Sequence, residues 1–248
     1  MNLFVRIQEL QKAKAVTVRI REIVVGDQVV VVQLEDEQTG VAMHFATETH
    51  SFEFVRELKH ANAWEALQHL GSAHPLRAAT AVAVANALVA DDSGWQPGHM
   101  LDMLDLQPND VVGMVGNFIP LVARIEPLVK QLMIFETIEQ VSENGILPAY
   151  EEPRLLPKCS VIVITGTTLV NSTIEDLLCC CRNARTVVVA GPSTIMLPKA
   201  WMGTPVTWLA GSRITDPHVV MTGVRCGKSF RDLRPWLKKM VLPVPRGL

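Results

Sequence analysis

No apolar run in this 248-residue chain reaches the ~20 residues a membrane-spanning helix needs. The longest soft stretch, Ala78 to Ala90, is interrupted by Thr80 and Asn86 and stops short of that length. The first residues, with Arg6, Gln8 and Glu9, contain no signal-peptide core. A soluble, cytoplasmic protein is therefore expected. An excess of either charge is also missing: 23 Lys and Arg against 25 Asp and Glu leave a formal charge of −2. Bulk charge thus argues against nucleic acid or an anionic membrane as the main partner. One basic segment, with Lys228, Arg231, Arg234, Lys238, Lys239 and Arg246, has few interleaved aromatics and reads as solvated surface.

Motifs for soft-metal or redox chemistry are absent as well. The cysteines are odd in number, at five, with no C-x-x-C pair. That is not a disulfide framework, and it fits a reducing compartment. Cys179, Cys180 and Cys181 are adjacent, and successive helical residues point about 100° apart. They cannot face one ion from one helix, so they read as small apolar residues packed on a sheet. The seven histidines are scattered without H-E-x-x-H spacing, and His44, near a strand end, is the first to test. No G-x-S-x-G elbow is present, which disfavours a serine hydrolase.

What the chain does have is core material: 48% hydrophobic and 19% charged residues. Roughly 100–200 residues per domain makes one or two domains plausible. A short helix over 1–13 is followed by period-two alternation from Val16 to Ile23. A turn at Gly26-Asp27, a strand Val29–Leu34, a turn at 38–40 and a strand Val41–Phe45 complete an antiparallel meander. Helical patterns follow at Ser51–Leu58, Ala63–Leu70 and Pro75–Val89, the last Ala-rich and buried on most sides. Asn86 within it reads as a brace. Turn chemistry at Asp91-Asp92-Ser93-Gly94 and Gln96-Pro97-Gly98 marks a boundary, giving units of 1–95 and 96–248. A short helix, His99–Leu106, then leads into alternating elements. Strands are expected at 111–115, 131–135, 160–164, 186–190 and 206–210. Helices are expected from Pro120 to Lys130, from Ser172 through a Ser172–Glu175 capping box, and from Asp216-Pro217. Residues 143–158, with three prolines, read mostly as loop. The whole predicts an α+β unit followed by a Rossmann-like α/β unit with a mostly parallel sheet.

Three apolar runs in the second half break into small polar loops. Ligands of open parallel sheets sit beyond the carboxyl ends of the strands, so these loops are the candidate site. The first, Gly113 to Asn117 with Phe118, offers glycines ahead of a helix start. Glu136 lies 20 positions after Gly116, where an acidic residue can hold a ribose hydroxyl. Val115 stands where a dinucleotide fingerprint needs its second glycine, and the same glycines also serve a tight turn. The second, Thr165-Gly166-Thr167-Thr168 with Asn171, carries hydroxyls and free N–H groups suited to an anion. Turn chemistry explains Asn171 or Ser172 and leaves the threonines for function. The third is Gly191-Pro192-Ser193-Thr194.

As a set, residues 112–120, 164–173 and 191–194 resemble the family described as putative heavy-metal chelation. The resemblance covers nearly the whole chain. It implies an N-terminal domain similar to that of enolase, a Rossmann-like C-terminal domain and a site in the cleft between them. Carried over, that site uses Gly116, Asn117, Thr165, Thr167, Asn171, Ser193 and Asp216. The loops hold no Cys and His cluster, so hard oxygen ligands or a metal already held in an organic chelate suit them better than a bare soft metal.

The expectation is a protein that binds a small anionic or metal-bearing ligand in the interdomain cleft, through the residues just named together with Phe118, Glu136, Gly166, Thr168, Gly191 and Thr194, and with homodimerisation plausible. A metal ion or chelate is the expected cofactor, a nucleotide less so. The alternatives are a transferase or lyase with a nucleotide-type cofactor, and a scaffold whose loops are only turns. No nucleophile–base pair is legible.

Overall fold

The computed structural model describes residues 2–44, 52–89, 94–138, 140–142 and 144–245. The expected turn at Asp91-Asp92-Ser93, and Phe45, His50, Ser51, Glu143 and Arg246, lie outside the described residues.

The chain opens with α1 (Leu3–Ala15), capped by the Asn2 side chain, which accepts from the N–H groups of Phe4 and Val5. Strands β1 (Ile20–Val25), β2 (Val29–Leu34) and β3 (Thr39–Met43) form the expected antiparallel sheet in sequence order. Three helices follow: α2 (Phe52–Leu58), α3 (Ala63–Leu67) and α4 (Pro75–Leu88). Helix α4 lies flush on the sheet because β3 passes it at a glycine. A Cβ at Gly40 would stand 2.1 Å from the Ala83 carbonyl oxygen and 2.4 Å from the Ala87 nitrogen. Only hydrogen fits there.

The second half contains β4 (Gln96–Pro97), β5 (Val111–Val115), α5 (Ile119–Ile125), β6 (Gln131–Glu136), β7 (Leu147–Pro148), α6 (Glu152–Leu155), β8 (Val161–Thr165), α7 (Ile174–Cys180), β9 (Thr186–Ala190), α8 (Pro198–Trp201), β10 (Trp208–Ile214), α9 (Pro217–Arg225), α10 (Phe230–Leu233) and β11 (Leu237–Pro243). The strands form one sheet in the order β4-β11-β10-β9-β8-β5-β6-β7. The six from β10 to β7 run parallel, while β11 pairs antiparallel with β10 and β4 antiparallel with β11. All five expected strands are present. The chain moves outward in one direction from β5 and in the other from β8, so the order reverses between those two strands, as at a topological switch point.

Strand β11 escaped the sequence reading, because Lys238 and Lys239 interrupt its apolar pattern. Its burial alternates in blocks, with Leu237 and Met240 to Leu242 inside and both lysines outside. Residues 143–158 are less loop-like than expected, since β7, α6 and two 3₁₀ turns lie there. The His99–Leu106 segment is a 3₁₀ turn, Met100–Met103, with His99 as its cap.

The two units share one core. Ile7, Leu67 and Val84 belong to the same buried cluster as Ile162, Ile164, Leu169 and Trp201. The opposite face of the large sheet is covered by Leu121, Ile125 and Leu104 packed on Met114 and Val163. A third cluster joins Val29, Val31 and Val41 to Val220, Val224 and Leu233. Strand β2 therefore lies between α4 and α9, which is why Val29 to Val32 are all buried. A meander strand with one wet face would alternate instead.

Several polar bonds tie the units. The Asn86 amide donates to the Val41 carbonyl (3.0 Å) and to the Pro192 carbonyl (3.3 Å). The Met43 N–H donates to Ser193 Oγ at 2.8 Å. Glu175 accepts from the Asn2 side chain and from the Leu3 N–H. This last contact replaces the expected capping box: α7 begins at Ile174 with Thr173 as cap, and Glu175 serves the start of α1. Arg6 adds a bond to the Ala200 carbonyl at 2.9 Å.

Gly40→Ala will force α4 off β3, and overpacking of that kind costs about 3 kcal/mol. Urea denaturation should show a lower midpoint with an unchanged slope.

Candidate functional site

The three loops do meet at the carboxyl edge of the parallel strands. Gly116 leaves β5 at φ +90°, and its N–H donates to the Phe135 carbonyl at 2.9 Å. A Cβ at Gly116 would lie 2.9 Å from Thr165 Cβ, so the first two loops abut across the switch point. A Cβ at Gly166 would lie 2.7 Å from the Thr194 nitrogen, so the second and third abut too. Glycine at 116 and 166 is what permits this convergence.

Most of the hydroxyls there are spent on the loops themselves. Thr165 Oγ1 caps the 3₁₀ turn over 166–169, lying 3.0 Å from the Thr167 hydroxyl. Thr168 is buried and donates to the Thr165 carbonyl at 2.7 Å. Turn chemistry thus accounts for the three threonines that the sequence left unexplained. Asn171 is exposed, and its Oδ1 accepts from the Thr173 N–H and hydroxyl. Ser193 is fully buried on the Met43 N–H. Thr194 is buried with no partner for its hydroxyl among the described residues. Asp216 stands after β10 and caps α9, accepting from the Val219 N–H at 3.0 Å. His44 is buried beside this seam, its Nδ1 without a partner among the described residues, and burial pulls its pKa down.

Glu136 is half-buried at the end of β6. Its carboxylate accepts from the Asn117 N–H at 2.6 Å. Glu152, at the start of α6, is raised to about 7 by burial and by the Glu136 charge beside it. Beneath this pair lie buried thiols. Burial pushes Cys159 up to about 11 and Cys181 up to about 12. Cys181 Sγ bonds the Leu177 carbonyl at 3.0 Å. Such cysteines remain protonated and behave as small apolar residues.

A pocket of about 240 Å³ opens beside the third loop. Phe118 and Gly191 line it, and they alone of the expected site residues do so. The remaining lining comes from the His99 turn, the start of α5, the ends of β9 and β10, and the 230–240 segment. Every lining residue falls between Gly98 and Met240, so no residue of the first meander or of α1–α4 contributes. This differs from the expected cleft between domains. The reason is that Ser193 and Pro192 bond Met43 and Asn86, which closes that side of the loop.

The pocket wall is cationic. His99, Arg234 and Lys239 line it, and Lys239 is pulled down by burial and then by the Arg234 and Arg124 charges. His99 is pulled down by burial, then by Lys239 and Arg124, against the opposing pull of Asp102. Arg234 and Lys239 are exposed, as the sequence reading expected, and they also border the pocket. Spacing along the chain carried no signal, because antiparallel pairing of β11 with β10 is what sets Lys239 opposite Ser212. Among the described residues no group of three or more His, Cys, Asp or Glu side chains is arranged to hold a metal ion.

A family model described as putative heavy-metal chelation matches residues 99–243, and a second model of the same description matches residues 7–89. An uncharacterized protein of Methanocaldococcus jannaschii is 33% identical over 134 residues, 54% of this chain. The match spans about half of that relative, 52% of its length. Two crystal structures of proteins of unknown function share the fold. One, from Pyrococcus horikoshii, has a TM-score of 0.84 at 18% identity, covering 98% of this chain and 100% of that one. The other, from Desulfitobacterium hafniense, has 0.82 at 22% identity, covering 97% and 99%.

The Glu152 carboxyl generates a prediction. A carboxyl whose folded pKa is raised binds its proton more tightly in the folded state than in the unfolded one. It therefore costs stability as pH rises from its ordinary value of 4.5 towards 7. Glu152→Gln is expected to raise the Tm at pH 8, by about 1 kcal/mol of stability after allowing for solvent screening, and to leave it unchanged at pH 4. Calorimetric scans at the two pH values check the difference.

Proposed function

We propose, for a chain that belongs to the family described as putative heavy-metal chelation, that it binds a small anionic or metal-bearing ligand in the pocket beside Gly191. The observation that carries this reading is the meeting of Phe118 and Gly191, from two strand-end loops, on one pocket wall. Small ligands of open α/β sheets characteristically occupy this edge. In this reading Phe118 and Gly191 touch the ligand. Gly116, Asn117, Glu136, Thr165, Gly166, Thr167, Thr168, Asn171, Ser193, Thr194 and Asp216 hold the loops that present them.

The residues present do not fit a bare metal ion. No suitable cluster of ligating side chains occurs among the described residues, and the buried thiols are held protonated. A role in heavy-metal handling therefore works through a metal that arrives already complexed, as cargo. Strand order favours a second reading, a transferase or lyase with a nucleotide-type cofactor at the β5–β8 switch point. Against it stand Val115 in the place of a glycine and a Glu136 carboxylate already bonded to Asn117.

A thermal-shift screen of organic anions, metal chelates, free metals, nucleotides and S-adenosylmethionine separates the two readings. Stabilisation by small organic anions or chelates is expected; a response to nucleotides that survives Phe118→Ala would favour the second reading. Phe118→Ala should weaken the responding ligand about tenfold, the scale of one lost aromatic wall. An equal response from wild type and Phe118→Ala would exclude this pocket as the site.

A further inference from the structure

We infer that the pocket beside Gly191 selects an organic oxyanion with an apolar body, so that a metal reaches it only inside an anionic complex. The inference rests on the reading that this pocket is the ligand site.

The polar side chains of the wall are hydrogen-bond donors. Arg234 and Lys239 have no acceptor atoms. His99 Nδ1 already accepts from the Leu101 N–H at 3.2 Å, which fixes the proton of the neutral ring on Nε2. The free edge of that imidazole therefore donates as well, and it has no lone pair to offer a metal. Ser212 adds a hydroxyl. Among the described residues no carboxylate lines the pocket. The Asp102 carboxylate, one turn away, accepts from the His99 backbone N–H at 3.3 Å.

Asp102 is the one carboxylate whose charge acts on His99 among the described residues. Among the described residues Arg124, Arg234 and Lys239 form no ion pair, although Lys14, Arg21, Arg154, Arg185 and Arg225 each do. The chain as a whole is slightly acidic, so the cluster does not follow from a basic surface. Burial lowers both Lys239 and His99, and repulsion from neighbouring cations adds to it, from Arg234 and Arg124 on Lys239 and from Lys239 and Arg124 on His99. An anion seated among them reverses that repulsion and draws both towards their charged forms. A bare divalent cation meets only repulsion.

The rest of the wall is apolar: Phe118, Leu121, Phe230, Leu237 and Met240. Gly191 sits between the two kinds of surface at φ +115°, where an added Cβ would have nothing nearer than the Gly166 nitrogen at 3.9 Å. Bare backbone thus faces open space, and a ligand can approach it closely. A hydrophilic ion would leave the apolar wall wet, and a neutral hydrocarbon would leave four donors unpaired. A compact anion with an aromatic or aliphatic body satisfies both surfaces.

Four probes test this by isothermal titration calorimetry on the full chain: phenyl phosphate, inorganic phosphate, benzyl alcohol and Zn²⁺ alone. Phenyl phosphate is expected to bind at least tenfold tighter than either half-probe, more weakly as salt is added. Zn²⁺ alone should give no heat of binding at the pocket. Arg234→Gln and Lys239→Gln should each weaken phenyl phosphate about tenfold to a hundredfold. The exposed Arg231→Gln should not, and circular dichroism melts of all three should match wild type. Benzyl alcohol binding as tightly as phenyl phosphate would overturn the anion inference and leave the pocket reading standing. So would stoichiometric Zn²⁺ binding lost in His99→Ala. No binding by any probe, together with an unresponsive Phe118→Ala in the screen above, would remove both.

Discussion

The close approach of α4 to β3 at Gly40 is the contact from which the site follows. With hydrogen as its side chain, that residue lets the helix backbone come within van der Waals contact of the strand. Asn86, one turn further along the helix, then reaches two carbonyls at once, Val41 on its own sheet and Pro192 on the loop after β9. Met43, at the end of the same strand, holds Ser193. Each bond satisfies a buried polar group that would otherwise cost about 1–3 kcal/mol. Together they close one side of the 191–194 loop and leave its other side, at Gly191, facing the pocket. The N-terminal unit contributes no atom to that wall, yet it fixes the loop that forms it.

Charge is sorted along the same edge of the sheet. Near β6 burial, and then the Glu136 charge, raise Glu152 to about 7. Near β10 and β11 burial lowers Lys239 and His99, and repulsion from neighbouring cations adds to it. The cationic cluster borders a pocket of about 240 Å³ with an apolar back wall. There an incoming ligand can discharge the repulsion. The carboxyl pair is served by the Asn117 N–H and sits above thiols that burial keeps protonated. In the proposed reading the edge receives an anion rather than a bare soft metal ion, in keeping with the lack of a metal-holding cluster among the described residues.

Much of the fold was legible because hydrophobic periodicity is local. The Val-rich runs at 111–115, 161–165 and 186–190 are buried on both faces, and such runs read directly as parallel strands. The capping chemistry of Asp216 and the proline after it were likewise legible, and both stand as expected. The sequence misled where one residue can serve two partners. Ser172 and Glu175 have the spacing of a capping box, but Glu175 is bonded to the start of α1, on the far side of the chain. The threonines after β8 looked like unspent donors, and they close a 3₁₀ turn among themselves.

What the sequence by itself determined is the order of strands and helices, the glycine turns at the strand ends and the edge on which they gather. These depend on the period of apolar residues and on backbone freedom at single positions, properties that neighbours in sequence decide. Only the tertiary structure decided which side of those loops stays open and what charge it faces. Lys239 meets the pocket because β11 pairs antiparallel with β10, opposite Ser212. Arg234 joins it through the short turn that precedes that strand. His99 arrives from the far end of the same unit. No spacing along the chain encodes that encounter, because the pocket's charge is set by through-space distance and His99 lies more than a hundred positions from Arg234 and Lys239.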